Sequence, residues 1–483
     1  MSFRIRRLCS NYVFVIPCKR RATRNPGSFW TPAFAGVTVG AAGCGELTLR
    51  EIKPFENRCI LKHLFFQSSQ MDSRSVYLRA GIEEDVSRIS KRVAGITVSA
   101  IKQMPVLAAK VSGTVSLGQG IPSFGTPAFI TEAIIRALRD DERIGKYSLQ
   151  PGLPDLKTEI SLYWARTKGL TVDPEREIFI SCGSMEALAA SISTVVERGD
   201  EVLVPSPNYA SHIEQILFAE GLPVFVPLLE EEGWRLDIDG FRKAITPKTK
   251  AILICNPMNP TGSVFSSAEI RAITELAIEK DLLVIADEAY DFLVYDPLRH
   301  SSFLSFPELR NRLIAAFSFS KMYCMTGWRV GYLFAPANLI DQILKVHDAW
   351  AICAPTISQY AALAALRATN GEDGEGDRFI RLLVSTLNSR RQLTCQRLNR
   401  LTSLFSYQQP QGAYYVFPQI IPTGVKSIDL ALRLLYEAKV ITIPGSGFGP
   451  TGEGHIRFSF GGTEEEINLA FDRIEDWAVK KAF

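Results

Sequence analysis

From about residue 176 onward, short apolar, β-rich runs alternate with helical patterns, which limits this chain to a mostly parallel sheet with helices on both faces. The runs span 177–181, 201–204, 251–255, 282–286, 313–317 and 330–334, and most end at a polar or Gly-bearing segment. Ligands of open α/β sheets sit beyond the carboxyl ends of the strands, so these segments are expected to converge on one site. After residue 340 the pattern changes to long helices at 341–350 and 378–401, with a Gly-rich surface loop at 370–377. The last hundred or so residues mix helices with short strands at 413–417 and 455–459, as a smaller α+β domain does. The expected division is an extension over 1–70, a segment over 71–121 joining the small domain, a large sheet domain over 122–355 and a small C-terminal domain over 356–483.

Charge separates the first 70 residues from the rest. They carry 11 Lys or Arg against 3 Asp or Glu, whereas the remainder carries 43 against 48. That mildly acidic body argues against a nucleic-acid surface. The first 70 residues show no sustained helical or strand period, and two readings compete: an Arg-rich targeting peptide, or translated sequence upstream of the true start. The stretch 26–38 resembles translated palindromic repeats found between bacterial genes, which favours the second reading with Met71 as initiator. Four of nine cysteines lie in the first 59 residues, and the later five have no metal-like spacing. They read as free thiols of a reducing, cytoplasmic compartment, with no metal. No apolar stretch is long enough to span a bilayer, so no membrane association is expected.

Chemistry concentrates in the loop Ser318-Phe319-Ser320-Lys321, followed eight residues after the lysine by Arg329. It brings together an amine, small hydroxyls and a fixed cation, which suit a ligand carrying both an aldehyde and a phosphate. The lysine can condense with the aldehyde as a Schiff base while the arginine fork grips the phosphate, so the cofactor read from this loop is pyridoxal 5′-phosphate. A lone loop lysine is otherwise an ordinary solvated charge.

Other segments add to this reading. Asp287, at the end of the run 282–286, can keep a pyridine nitrogen protonated and so make the ring an electron sink, and Tyr290 can donate to the ring phenolate. The bland reading of Asp287–Tyr290 is a helix N-cap and a packed tyrosine. Asn259 lies in the Pro-rich turn after 251–255, where its amide can hold the phenolate oxygen, although such segments are mostly only turns. Gly183, Ser184 and Met185 open a helix after 177–181, and a helix N-terminus binds phosphate, but Ser184 suits an ordinary N-cap equally well. Tyr209 can stack on the pyridine ring or belong to the core, with His212 behind it as a satisfied buried histidine. Arg457, in an apolar strand, requires an anion: a substrate α-carboxylate or a structural salt bridge. Gly118 and Gly120 can bring backbone N–H groups to the same carboxylate.

Taken together, in order, these residues resemble the class I/II aminotransferases, the fold-type I pyridoxal phosphate enzymes typified by aspartate aminotransferase, over about residues 76–480. The resemblance implies an α/β fold-type I architecture: a large, mostly parallel-sheet domain and a smaller α+β domain. It assigns Lys321 to the Schiff base and proton shuttle, Asp287 to the pyridine nitrogen, and Asn259 and Tyr290 to the phenolate. Ser184, Ser318 and Arg329 fall to phosphate, with Gly183, Met185, Tyr209 and Ser320 also near the cofactor. Gly120, Asn259 and Arg457 fall to the substrate, and Tyr147 is expected to reach from the partner in a homodimer with shared sites. The implied reaction moves an amino group from an L-amino acid to a 2-oxo acid such as 2-oxoglutarate. Elimination by a carbon-sulfur lyase of the same fold, and a non-catalytic cofactor-binding regulator, are the alternatives. No second arginine for a side-chain carboxylate is evident, and Met185 stands where some bacterial aspartate enzymes carry a nearby lysine, so the donor stays open.

Overall fold

The computed structural model describes residues 88–96 and 100–481. The expectations for 1–70, and for Met71 as first residue, lie outside the described residues.

Eight strands are labelled here: β1 (Val115–Ser116), β2 (Ile178–Ser181), β3 (Glu201–Ser206), β4 (Leu222–Pro227), β5 (Thr249–Cys255), β6 (Leu283–Asp287), β7 (Leu313–Ser318) and β8 (Gly331–Phe334). Seven of them form one sheet in the order β2-β8-β7-β6-β5-β3-β4. All six apolar runs became strands of this sheet, and β4 was not anticipated. It is an edge strand, half-exposed along most of its length and carrying Pro223 and Pro227, so it lacks the continuous apolar character of a central strand.

Successive side chains of a strand face opposite sides of a sheet, and the central strands are apolar on both. Ile252 and Ile254 of β5 enter one core, whereas Ala251 and Leu253 enter the other. The second core is closed by helices Ser184–Val195, Ala210–Phe218 and Ala337–Ala351, through Leu188, Ile192, Ile216, Ile340 and Ile343. The first is closed in part by helices Pro154–Lys168 and Ser267–Glu279. The latter begins with a reciprocal capping box between Ser266 and Glu269.

One strand runs against the others. β8 pairs antiparallel with β2 and with β7, so its amino end, not its carboxyl end, lies at the sheet edge where the other strands finish. Ser181 and Ser318 both lie opposite Gly331 in register. This reversal places Arg329, just before β8, beside Ser318 at the end of β7. A Cβ at Gly331 would come within 2.7 Å of both Phe317 O and Ser184 N, so only glycine lets the three segments meet.

The small strands of the C-terminal half include Tyr415–Val416 and Ile443–Pro444, both antiparallel to Ile456–Ser459. β1 pairs in parallel with Val440–Ile441. The helix expected over 378–401 spans Glu375–Leu398, so the Gly-rich loop ends slightly earlier than anticipated, at a turn braced by Asp377. Among the described residues no helix is long and apolar enough to cross a membrane.

Trp164 ties a helix to the β7–β8 pair: its side chain is fully buried, its Nε1–H donates to Tyr332 Oη at 3.0 Å, and Phe317 lies 4.9 Å away between ring centroids. Trp164→Ala is expected to destabilise the protein by about 3–5 kcal/mol in urea unfolding, because it leaves both a cavity and an unpaired tyrosine hydroxyl. A loss below about 1 kcal/mol would show that this contact does not hold the strand pair.

Candidate active site

The polar segments at the sheet edge surround a cavity of about 240 Å³, lined among others by Gly120, Ser184, Met185, Tyr209, Asn259, Asp287, Tyr290, Ser318, Ser320, Lys321, Arg329 and Arg457. Apart from Gly118, Gly183 and Tyr147, every site residue expected from the sequence lies on this wall. Tyr147 is 78% exposed and does not line the cavity of its own chain.

Lys321 follows β7 on a single helical turn, Phe319–Met322, capped by Ser318, whose Oγ accepts Ser320 N–H at 3.1 Å. Its Nζ donates to Gly120 O at 2.7 Å and lies 5.8 and 5.6 Å from the ring centres of Tyr290 and Tyr414. Removal from bulk water, then the positive charges of Arg457 and Arg329, bring its pKa down to about 8. A substantial neutral fraction is therefore present near pH 8, as a nucleophilic amine needs.

Asp287 ends β6 with no helix after it, so the N-cap reading does not apply. Its Oδ1 accepts Ala289 N–H at 3.2 Å, and its Oδ2 meets His212 Nε2 at 3.0 Å. His212 Nδ1 in turn meets Asn208 Oδ1 at 2.9 Å, which completes the expectation of a satisfied buried histidine. The Tyr209 ring stands edge-on to His212 at 5.4 Å. Asp287 is thus oriented from behind while still lining the cavity.

Arg329 adopts a left-handed backbone, φ 53°, a conformation costing a non-glycine residue roughly 1–2 kcal/mol. Its guanidinium donates to Thr326 O at 2.9 Å and reaches Ser320 Oγ and Cys182 O at 3.5 and 3.4 Å. Gly183, φ 82°, is the N-cap of helix Ser184–Val195, and Ser184 is its first helical residue, which corrects the N-cap reading of Ser184. A Cβ on Gly183 would stand 2.5 Å from Arg329 Nη2, so the absence of a side chain there lets the arginine lie over the helix start.

Arg457 is more deeply buried than a half-buried strand residue, at 2% exposure. It donates to Asn259 Oδ1 at 3.0 Å and Gly118 O at 2.6 Å, and its Nε has no partner. Among the described residues no carboxylate pairs with it, so the salt-bridge reading is not met there. Its positive charge is held by neutral acceptors, as a site for an anion requires. Carbonyl oxygens of Gly118 and Gly120, rather than their N–H groups, meet the site side chains; Gly118 N–H is taken by Ser116 Oγ at 3.3 Å. Asn259, with its carbonyl turned to Arg457, keeps its amide N–H groups for another acceptor.

Two tyrosines escaped the sequence reading. Tyr415 Oη bonds Tyr290 Oη at 2.8 Å, and its ring lies beneath Arg457, 4.4 Å from the guanidinium carbon. Tyr414 Oη donates to Gly120 O at 2.8 Å. Burial pushes the Tyr290 hydroxyl well above the ordinary tyrosine range, so it stays a proton donor. The available signal was the pair of tyrosines after Gly412-Ala413 in an expected strand; only strand pairing aims them at Lys321 and Arg457.

The family model for aminotransferase class I and II matches residues 112–474. The chain belongs to this family. An aspartate aminotransferase of Pyrococcus abyssi is 36% identical over 387 residues, covering 80% of this chain and 97% of that protein. Among solved structures, an aromatic aminotransferase of Pyrococcus horikoshii has 35% identity and a TM-score of 0.73, covering 79% of this chain and 99% of that one. The aspartate aminotransferase of Thermus thermophilus, solved with maleate, has 33% identity and a TM-score of 0.74, covering 80% and 98%. The aminotransferase described here is a pyridoxal-phosphate-dependent transaminase of fold type I. Relatives so named favour group transfer over the elimination and regulator readings.

The cofactor fits the residues present. Arg329, three serine hydroxyls and a helix N-terminus form a donor set for a phosphate dianion, and Asp287 and Lys321 line the same cavity.

In the cofactor-free aminotransferase, acylation of Lys321 is expected to switch on with a midpoint near pH 8, read by peptide mass mapping. Arg457→Gln should move that midpoint upward, because a neighbouring positive charge is lost; an unmoved midpoint would show that the two groups do not interact. Because the folded pKa lies below the unfolded one, the unfolded chain binds more protons between them, so this lysine's contribution to stability rises with pH from about 8 toward the ordinary lysine value.

Proposed function

We propose that the aminotransferase moves an amino group from an L-amino acid to 2-oxoglutarate, with Lys321 as the amine that engages the cofactor aldehyde and then carries the proton. The observation that carries this reading is the position of Lys321 Nζ: half-buried, partly deprotonated near pH 8, and set in a cavity between Asp287 and two anion-binding arginines. Bound pyridoxal phosphate supplies an electron-withdrawing ring that stabilises the charge left on the substrate Cα when its proton departs. Arg329, Ser184, Ser318 and Ser320 hold the phosphate. Asp287, oriented by His212, keeps a proton at the ring nitrogen. Tyr290 and the amide of Asn259 donate to the ring oxygen, and Tyr209 and Met185 bound the ring faces.

Arg457 grips the α-carboxylate of the substrate, which orients its Cα proton toward Lys321 Nζ. Gly120, by accepting from Lys321 and Tyr414, sets where the free amine rests. Ile101, Ile121 and Met185 supply apolar surface on the same wall, which suits a neutral or aromatic donor side chain. The division into a large sheet domain over 122–355 and a small domain over 356–483 is part of this reading, and the described residues 100–121 join the small domain, supported by the β1 pairing with Val440–Ile441 and by Ser459 N–H donating to Leu117 O at 2.7 Å. We place the protein in the cytoplasm as a homodimer, in which the exposed Tyr147 serves the site of the neighbouring copy.

Lys321→Ala is expected to abolish transamination and the visible absorption of the holoenzyme while leaving its circular dichroism unchanged. Borohydride reduction of wild-type holoenzyme should leave the cofactor on the peptide containing Lys321, and attachment elsewhere refutes the assignment. A panel of amino acids, followed through the cofactor spectrum without acceptor, identifies the donor; release of pyruvate and ammonia with an unchanged spectrum would instead establish elimination. Asp287→Asn should lower kcat by about 10²-fold or more, because the ring nitrogen loses its anionic partner. Wild-type turnover would exclude that role.

A further inference from the structure

A carboxylate lies directly behind the phosphate-binding turn, and the reaction itself does not use it. Glu186 Oε2 accepts Cys182 N–H at 3.1 Å, and its Oε1 meets His347 Nδ1 at 3.0 Å. The His347 side chain is fully buried and packs on Phe179 of β2, with ring centroids 5.1 Å apart. On the opposite side of the same residue, Cys182 O accepts Arg329 Nη2 at 3.4 Å. Cys182 is therefore gripped at both its N–H and its carbonyl.

An acid beside an anion-binding turn repels the anion, so its presence calls for an offsetting role. The geometry supplies one. The first N–H groups of a helix have no intrahelical acceptor, and Gly183, the N-cap of helix Ser184–Val195, has no side chain to organise them. By taking Cys182 N–H, Glu186 sets the peptide between Ser181 and Cys182, and Ser184 and Met185 are left to present their N–H groups to a ligand. Arg329 leads through β8 into helix Ala337–Ala351, which carries His347, and His347 returns through Glu186 and Cys182 to Arg329. The ring of contacts closes on itself.

We propose that Glu186, clamped by His347, is a positioning residue that sets the turn Cys182–Ser184 and, through the Cys182 carbonyl, the Arg329 guanidinium for the cofactor phosphate. The inference rests on the reading of Arg329 and Ser184 as phosphate ligands. It is tested by titrating cofactor-free protein with pyridoxal phosphate, following tryptophan fluorescence, alongside the thermal midpoint of each variant. Glu186→Ala is expected to raise the dissociation constant about tenfold or more, and Glu186→Gln, which keeps an acceptor for Cys182 N–H, to restore most of the affinity. In combination with Arg329→Gln the loss should be smaller than the product of the two single losses, because both act on one contact.

A Glu186→Ala protein with wild-type affinity and only a lowered thermal midpoint overturns the inference. If Arg329→Gln also leaves the affinity unchanged, the phosphate reading itself fails; if Arg329→Gln weakens binding and Glu186→Ala does not, only the present inference fails. His347→Gln, which releases the clamp from its far side, carries the same expectation and serves if Glu186→Ala does not fold.

Discussion

Three cationic side chains, Lys321, Arg329 and Arg457, share one cavity with Asp287 as the single acid among the described residues lining it. Everything else about the site follows from that imbalance. Like charges crowded into a poorly solvated space repel, and the protein meets the cost in two ways. Lys321 gives up part of its proton, while the two arginines are held by carbonyl and hydroxyl oxygens rather than by carboxylates. On the proposed reading a cofactor phosphate and a substrate carboxylate supply the missing negative charge, so the crowding of like charge itself selects for anionic ligands.

Holding such groups apart at fixed distances demands a rigid frame. The sheet provides it through strands buried on both faces, with the polar segments confined to one edge. Reversal of β8 is the decisive topological step. Had that strand run parallel to its neighbours, Arg329 would lie at the opposite edge, a strand length away from Ser318 and Ser184. The contribution of the chain's far ends is just as specific. Arg457 lies 339 residues from Gly118, and Lys321 lies 201 residues from Gly120, yet both are bonded through backbone carbonyls of one short loop. The loop couples the Arg457 guanidinium to the Lys321 amine.

The tyrosines extend that coupling. Tyr415 touches Tyr290 with its hydroxyl and Arg457 with its ring, and a Cβ at Gly120 would stand 2.2 Å from the Tyr415 hydroxyl. One side chain thus spaces the Tyr290 hydroxyl from the Arg457 guanidinium. Tight packing of this kind transmits a change at either end, since interiors have few voids to absorb a shift.

Lys321, Asp287, Asn259, Tyr209 and the Gly183-Ser184 turn were legible in the amino-acid sequence because each lies within five residues of the end of an apolar run, and continuous apolar runs reveal strands buried on both faces. The edge strand Leu222–Pro227 was not, since half-exposed residues and two prolines erase the pattern. Nor could periodicity show that Gly331–Phe334 runs backwards, because alternation has no direction. The pairing of His212 with Asp287, 75 residues apart, and the union of Tyr415 with Tyr290 and Arg457 belong to the tertiary structure alone. Sequence by itself determined which chemical groups are available and which segments carry them, through short-range propensity and burial. Only the fold decided which of them touch, because contacts across hundreds of residues depend on strand order and register rather than on any local preference.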